Sequence, residues 1–501
     1  MSASQGALGV PRWAALRPNS DAVVSLEGRQ TFRDLFAQSS QGEKLLASLG
    51  VEERDRVGIA VRNRREYLHI SMATWLRGAV LVPFAYHSTQ DELEYLAEDA
   101  ELTALFREAD GAIPTKPIIS MTWDEFSEQS AAFVPDEASV DAPAPQQRVL
   151  PYTSGTTGRP KALRRPNAED GTIKHDPDAW LSQFPIASNE GVHLCVAPMY
   201  HAQPRLFTQA ALDWGHRVVM MRRFDPEAAL ALIQQERVTW ISMAPIHFVR
   251  ILKLGREVID GYDVSSVRFV VHSASPVAPA VKQEMMEIFP DSLWEMYGGT
   301  EGTFTIIGPD EWKAKPGSVG KTTPGRDLAI LDENGNELPA GEVGMIYRHE
   351  PDAGQRFEYV GSPDATAAAW RGEYFTLGEV GYMDEDGYLF LTDRVKDMIV
   401  RGGVNVSSTE VEAVLIEHPN VLDVAVIGLP DDEYGETVLA AVVAPEGVSA
   451  QQLREFCQER LAAVKCPTRI EFLDELPREP TGKLRKRHLR DTYMKDGVDA
   501  R

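Results

Sequence analysis

Apolar positions along this chain come in two textures. Between residues 55 and 85, Arg56-Val57-Gly58-Ile59-Ala60-Val61 is an unbroken run of strand length, and residues 66–76 space their apolar side chains as an amphipathic helix does. Ala79-Val80-Leu81-Val82-Pro83 then forms a second strand-length run. Apolar strands alternating with helices predict βαβ units around a parallel sheet. The alternation recurs at Val192, Leu194 and Val196, at Arg217-Val218-Val219-Met220-Met221, and at Val267, Val270, Val271 and His272. Residues 114–147, rich in proline, alanine and acidic side chains, read instead as a surface loop. From 316 to 350 short runs such as Leu328-Ala329-Ile330-Leu331 and Gly344-Met345-Ile346-Tyr347 flank the turn signal Asp332-Glu333-Asn334-Gly335-Asn336. That pattern predicts antiparallel hairpins.

Past Arg394 the elements shorten into a compact α+β unit. Residues 408–417 are helix-like, with Ser407 or Ser408 as N-cap, and 450–462 are helix-like too. Residues 421–428 and 438–444 and the short Ile470-Glu471-Phe472 are strand-like. The class is therefore α/β, with a large N-terminal domain over 1–394, a smaller one over 395–501, and no low-complexity tether between them. A chain of 501 residues exceeds what one core usually serves, which agrees with two domains.

Composition removes several partners. A net charge of −24 opposes nucleic acid and anionic membrane. No run approaches the roughly 18 apolar residues of a membrane helix, and Met1 to Pro11 shows no secretory pattern. Cys195, Cys457 and Cys466 form no C-x-x-C pair, and an odd number argues against a disulfide framework. A reducing, cytoplasmic compartment is the expectation, with the thiols as small buried apolar groups.

The densest chemistry lies in Tyr152-Thr153-Ser154-Gly155-Thr156-Thr157-Gly158-Arg159-Pro160-Lys161. Glycines let successive N–H groups converge, hydroxyls add donors, and Lys161 adds a cation, so the segment suits a polyphosphate. It lacks Walker A spacing, and a plain surface turn is the competing reading. Here the chain resembles the adenylate-forming superfamily: acyl- and aryl-CoA ligases, luciferases and nonribosomal-peptide adenylation domains. Further motifs follow in the family's order. Tyr297-Gly298-Gly299-Thr300-Glu301 is similar to the second core motif. By resemblance, Thr300 approaches the α-phosphate of ATP, Glu301 helps hold Mg²⁺, and Tyr297, Gly298 and Gly299 flank adenine and substrate. Thr376-Leu377-Gly378-Glu379 stands where the family has T-G-D, so Glu379 would accept the ribose hydroxyls in place of aspartate. Asp393-Arg394-Val395-Lys396-Asp397 resembles the hinge, with Arg394 on ribose and phosphate and Lys396 as pivot. Arg401-Gly402-Gly403-Val404-Asn405 follows it, and Pro480-Thr481-Gly482-Lys483 matches the P-x-G-K whose lysine clamps carboxylate and α-phosphate.

The resemblance implies two parallel-sheet αβ subdomains and a small β-barrel in the N-terminal domain, with a mobile C-terminal domain. It also implies the chemistry. Attack of a carboxylate on the ATP α-phosphate gives an acyl-adenylate and pyrophosphate, and rotation about Lys396 then brings the Gly402-Gly403 loop to the site. Those glycines would admit a pantetheine, with Arg401 beside it; a strand-end turn explains them equally well. Met199-Tyr200-His201 resembles an aromatic-histidine motif, in which His201 orients the carboxylate or gates the nucleophile, unless it is a core histidine. Tyr200, Phe207, Met243, Ile246, Phe248, Ser273 and Ala274 are the expected acyl pocket. The side chains of Ser273-Ala274-Ser275, where the family often has Gly-Gly-Ala, favour an aryl, ring-containing or medium-sized acid. The expected acceptor is CoA, with an amine as the alternative, because the chain's length and the place of Lys483 also resemble amide-bond synthetases acting on β-carboline carboxylates. Neither nucleic acid nor integral membrane is expected as a partner, and the protein is expected to be a monomer or homodimer.

Overall fold

A computed structural model describes residues 9–153, 160–165, 173–174, 184–186, 190–322, 327–394, 396–431, 433–444, 447–478 and 484–499. The chain divides into two compact units. One comprises Met1–Ser242, Tyr262–Val270 and Asp352–Thr366; the other comprises Met243–Gly261, Val271–Pro351 and Ala367–Arg501.

The first unit holds the predicted βαβ alternation. One sheet runs in the order Ile119–Thr122, Ala104–Arg107, Arg56–Ala60, Val80–Pro83, Arg148–Val149 and Ile173–Lys174. Its first five strands are parallel, with Val57 facing both Leu81 and Ala104, and the last is antiparallel. Burial on both faces explains the unbroken apolar runs. A second set of strands runs Gly28–Thr31, Asp21–Ser25, Arg217–Met220, Val192–Cys195 and Trp240–Met243, parallel except for the opening hairpin.

Two expectations change here. The helix Arg65–Leu76 is not half-solvated: Glu66 through Trp75 are all buried. Its polar side chains are satisfied inside, Ser71 and Thr74 donating to the carbonyls one turn back and Glu66 accepting from Arg64. Nor is 114–147 one loop, because Ile119–Thr122 adds a strand and Trp123–Ser130 forms a helix. Thr122 and Glu125 make a reciprocal capping box, and Phe126 is buried edge-on against Phe106, 5.0 Å between centroids. That T-x-x-E signal outweighs the loop-like composition around it.

In the second unit Leu293–Gly299, Gly302–Ile307 and Lys321–Thr322 pair antiparallel. The predicted hairpins belong to a six-stranded antiparallel sheet, in which Leu328–Leu331 and Glu379–Met383 flank Gly344–His349 and Leu389–Arg394 follows. Asp332 and Asn336 close the predicted turn by hydrogen bonds. The C-terminal α+β region is built on the long hairpin Asp423–Asp431/Gly435–Val443, with Arg469–Phe472 parallel to its second strand. Ser407 caps the helix Ser408–Ile416 as expected, and Val411, Leu415, Val426, Val438, Leu453 and Cys457 form the local core. The helix Ala450–Gln458 stops short of 462, and past it the Arg460 N–H turns onto the Cys457 carbonyl three residues back. All three cysteines are buried and unbridged. No helix among the described residues is long and apolar enough to cross a membrane.

Candidate active site

In the second unit the Tyr297-Gly-Gly-Thr-Glu segment spans the end of one strand and the turn into the next. Backbone blocks a side chain at the first of its glycines, and the mobile end of Glu301 crowds the second. A Cβ on Gly298 would lie 2.5 Å from the Gly302 carbonyl oxygen, and one on Gly299 2.5 Å from Glu301 Oε2. The Glu301 carboxylate thus folds back over the turn that carries it. One carboxylate on this turn is in keeping with the Mg²⁺ role that the motif implies, since that ion keeps phosphate oxygens and waters as its other ligands.

Three residues distant in sequence meet in the same unit. Arg394 Nη2 donates to Glu379 Oε1 at 2.6 Å, and Tyr297 Oη donates to Glu379 Oε2 at 3.1 Å. Strand register produces the pair, since Glu379 lies directly opposite Arg394. Burial, then the neighbouring Glu379 charge, push the Tyr297 phenol well above its ordinary pKa, so it stays a donor. Burial opposes the Arg394 cation, but Glu379 more than offsets this and raises its pKa. Each Glu379 oxygen keeps acceptor capacity after one bond, so the carboxylate fits the two ribose hydroxyls that the motif implies.

The first unit carries the segment expected to hold phosphate. It follows the strand Arg148–Val149, as expected, and its base is closed by Thr153 N–H donating to the Lys161 carbonyl at 2.9 Å. Lys161 Nζ stands 5.5 Å from the Tyr359 ring centroid. Ser154, Gly155, Thr156, Thr157 and Gly158 lie outside the described residues, as does Lys483. His201 is the N-cap of the helix Ala202–Asp213, its ring 4.1 Å from that of Tyr200. Tyr200 in turn lies 6.0 Å from both Tyr86 and His87, and the Arg62 guanidinium sits over Tyr86. Sequence reasoning passed over Tyr86 and His87. The available signal was their place just after the strand Val80–Pro83, at the carboxyl end where parallel sheets bind ligands.

Of the expected acyl-pocket residues, Phe207 is buried against Phe184 and Trp240 in the first unit. In the second unit Met243, Ile246 and Phe248 are buried, and Phe248 meets His272 edge-on. Ser273 is buried, and Ala274 has φ of +80°, a left-handed conformation that favours glycine. At the expected hinge, Lys396 is exposed in a turn, while Asp393 accepts from the Ser408 backbone and hydroxyl at 2.7 and 2.9 Å. Gly402 and Gly403 have φ of +57° and +79° and join two short antiparallel strands. A tight hairpin turn therefore accounts for both glycines by itself. Arg401 donates through Nη1 to the Val464 carbonyl at 2.8 Å, so part of its donor capacity is used structurally.

The carboxylate joined to a tyrosine and an arginine, and the acid on the glycine turn, stand at the positions of the motifs that resemble the adenylate-forming class. The AMP-binding enzyme model matches residues 10–355 and the AMP-binding enzyme C-terminal domain model matches 410–483. The chain belongs to the AMP-binding enzyme family. It is similar to the fatty acid–[acyl-carrier-protein] ligase ScoC of Streptomyces coeruleorubidus, at 31% identity over 96% of this chain and 95% of that protein. Among solved structures it resembles o-succinylbenzoate coenzyme A synthetase (MenE) of Bacillus subtilis in complex with ATP and magnesium. The TM-score is 0.79, with 26% identity over 97% of this chain and 99% of the other. It also resembles the amide bond synthetase McbA of Marinactinospora thermotolerans, with TM-score 0.76 and 25% identity over 97% and 100% of the two chains.

Proposed function

We propose that the protein activates a carboxylic acid with ATP as an acyl-adenylate, releasing pyrophosphate, and transfers the acyl group to CoA. The Tyr297–Glu379–Arg394 arrangement carries this reading. It offers a polarised carboxylate for ribose and a cation for phosphate in one place, where a neutral turn would offer neither. A carboxylate is a poor acyl donor because oxide would have to leave; AMP leaves readily. The protein's task is to align two anions and offset charge as the α-phosphorus becomes five-coordinate. Lys483 and Arg394 supply cations for that step, Thr153–Lys161 holds the phosphates, and Glu379 and Tyr297 fix the nucleoside. Mg²⁺, held in part by Glu301, would neutralise phosphate charge. His201 and Tyr200 border the acid. Rotation of residues 395–501 about Lys396 would then exchange Lys483 for the Gly402-Gly403 turn. The acid is aryl, ring-containing or medium-sized.

Likeness to McbA favours a second reading, transfer to an amine. One experiment separates the two. Purified protein is incubated with ATP, Mg²⁺ and a panel of aryl and medium-chain acids, and CoA or a simple amine is added separately. The expected product is a thioester, identified by mass. An amide without any thioester, from acids that do release pyrophosphate, overturns the CoA reading; no pyrophosphate from any acid overturns adenylation.

A further inference from the structure

Arg205 is out of place electrostatically. It is only 3% exposed, and its Nε and Nη1 groups are buried without an acceptor among the described residues. Other buried arginines here are engaged. Arg348, equally buried, donates to the Thr303 carbonyl at 2.8 Å and to Glu350 at 2.6 Å, and Arg64 pairs with Glu66 at 2.8 Å. The group that acts on the Arg205 charge is the phenol of Tyr67, whose own hydroxyl donates to the Met199 carbonyl. Burial accordingly lowers the guanidinium's pKa. An uncompensated buried cation is costly, and exchange of such a group for an apolar one often stabilises a fold. No described residue supplies an anion for it, which leaves that place to a bound ligand.

Position narrows the anion. Arg205 lies one turn inside the helix Ala202–Asp213, whose cap is His201. Helical side chains lean toward the N-terminal turn, here the turn that follows Tyr200 and His201. That turn is also the positive end of the helix dipole. We infer that Arg205 is a carboxylate-binding residue of the acid substrate site, so that the preferred acid carries an anionic group within its reach. This inference rests on the acid-activating reading above and deepens it. A guanidinium fork matches a carboxylate with two parallel hydrogen bonds, which lysine does not reproduce. The group bound is either a second carboxylate of a dicarboxylic acid or the reacting carboxylate itself.

Matched pairs of acids, hexanoate with adipate and benzoate with isophthalate, separate these sources. Pyrophosphate release is measured for the native protein, Arg205→Met and Arg205→Lys, and thermal midpoints are recorded with each acid and no ATP. Recognition of a second carboxylate lowers the diacid-to-monoacid ratio of kcat/KM roughly 10²-fold in Arg205→Met, the scale of losing one side of a buried charge pair. Arg205→Lys falls between. Recognition of the reacting carboxylate lowers kcat/KM for both members equally. Either supports the inference if Arg205→Met is no less heat-stable than the native protein. Unchanged kcat/KM for every acid overturns it. If Arg205→Met does not fold, Arg205→Lys alone decides by the same ratio. Should no acid release pyrophosphate, the ligase reading fails separately. The acid-only midpoints still decide: a diacid-induced rise lost in the variants supports Arg205, and a rise shared by all, or absent from all, refutes it.

Discussion

Replacing Glu379 separates a nucleotide role from a folding role, because the structure assigns the carboxylate two partners of its own. Each bond to a charged group is worth about 1.5–3 kcal/mol. In Glu379→Ala two ribose contacts vanish, about 3–6 kcal/mol, so ATP affinity should fall roughly 10²- to 10⁴-fold. The same change strips Arg394 and Tyr297 of their acceptor. Arg394 is 30% exposed and can recruit water, so the folding cost is smaller, about 1–3 kcal/mol. Glu379→Asp distinguishes the two. Its carboxylate sits one methylene shorter on a strand whose register fixes Arg394 opposite, so it cannot span the distance between Arg394 and Tyr297 as glutamate does. Stability should therefore drop by about 1 kcal/mol, while ATP affinity is kept or improved. Calorimetric titration with ATP and a thermal melt read the two effects independently. An alanine variant that melts earlier but binds ATP as before would falsify the ribose assignment and leave Glu379 a structural brace.

Three further outcomes follow from the same geometry. Lys483→Ala should abolish pyrophosphate release from acid and ATP yet leave transfer from a pre-made acyl-adenylate largely intact; equal loss of both steps would remove its assignment to adenylation. Ala274→Gly relieves a left-handed residue, a strain of about 1–2 kcal/mol, against a glycine entropy cost of about 0.5–1 kcal/mol. Its melting temperature should hold or rise and the acid panel should broaden toward bulkier members, whereas a clear destabilisation would mean the methyl is a packing contact. Acid should destabilise the fold through buried histidines: burial pulls His69 down to about 4 and His193 and His247 to about 3. Their folded pKa values lie below the unfolded value of about 6.5. The unfolded chain therefore takes up protons first, and stability is full above that value and lost as pH falls toward the folded ones. Between pH 7 and 5 each histidine accounts for about 2 kcal/mol, and a denaturant midpoint that does not fall over that interval would contradict the neutral buried state.

How much was legible depended on whether a signal is local. The βαβ alternation of 55–85, the hairpin turn at 332–336 and the Ser407 cap are read from neighbouring residues, and each stands where its pattern put it. The glycine turn and the acid after it were legible too, because close approach selects glycine within a few positions. Burial of a helix on every face was not. The side chains of Glu66, His69 and Thr74 give 65–76 an amphipathic look, and only partners such as Gln30, far off in sequence, reveal that its polar face is enclosed. Composition misled in the same way at 114–147, where abundant proline and acid hid a capping box that fixes a helix.

The residues that bear most on function are those that break a local rule. Glutamate at 379 departs from the family's aspartate, yet register places its longer side chain between a tyrosine and an arginine that aspartate could not join. Alanine at 274 takes up a glycine's dihedral beside a buried serine, adding side-chain volume at a backbone cost. Arg205 buries a cation in a helix whose other buried side chains are neutral or, like Asp213, hydrogen-bonded. Glu379 is compensated locally by Tyr297 and Arg394, but Ala274 and Arg205 cost stability in the ligand-free protein, and cost without local compensation points to a group kept for what it binds. All three fall on segments that the motifs assign to nucleotide or acid. The costs of Ala274 and Arg205 should therefore be recovered on binding, and the acid's chemistry is to be sought in the charge that Arg205 leaves open rather than in the shape of an apolar tunnel.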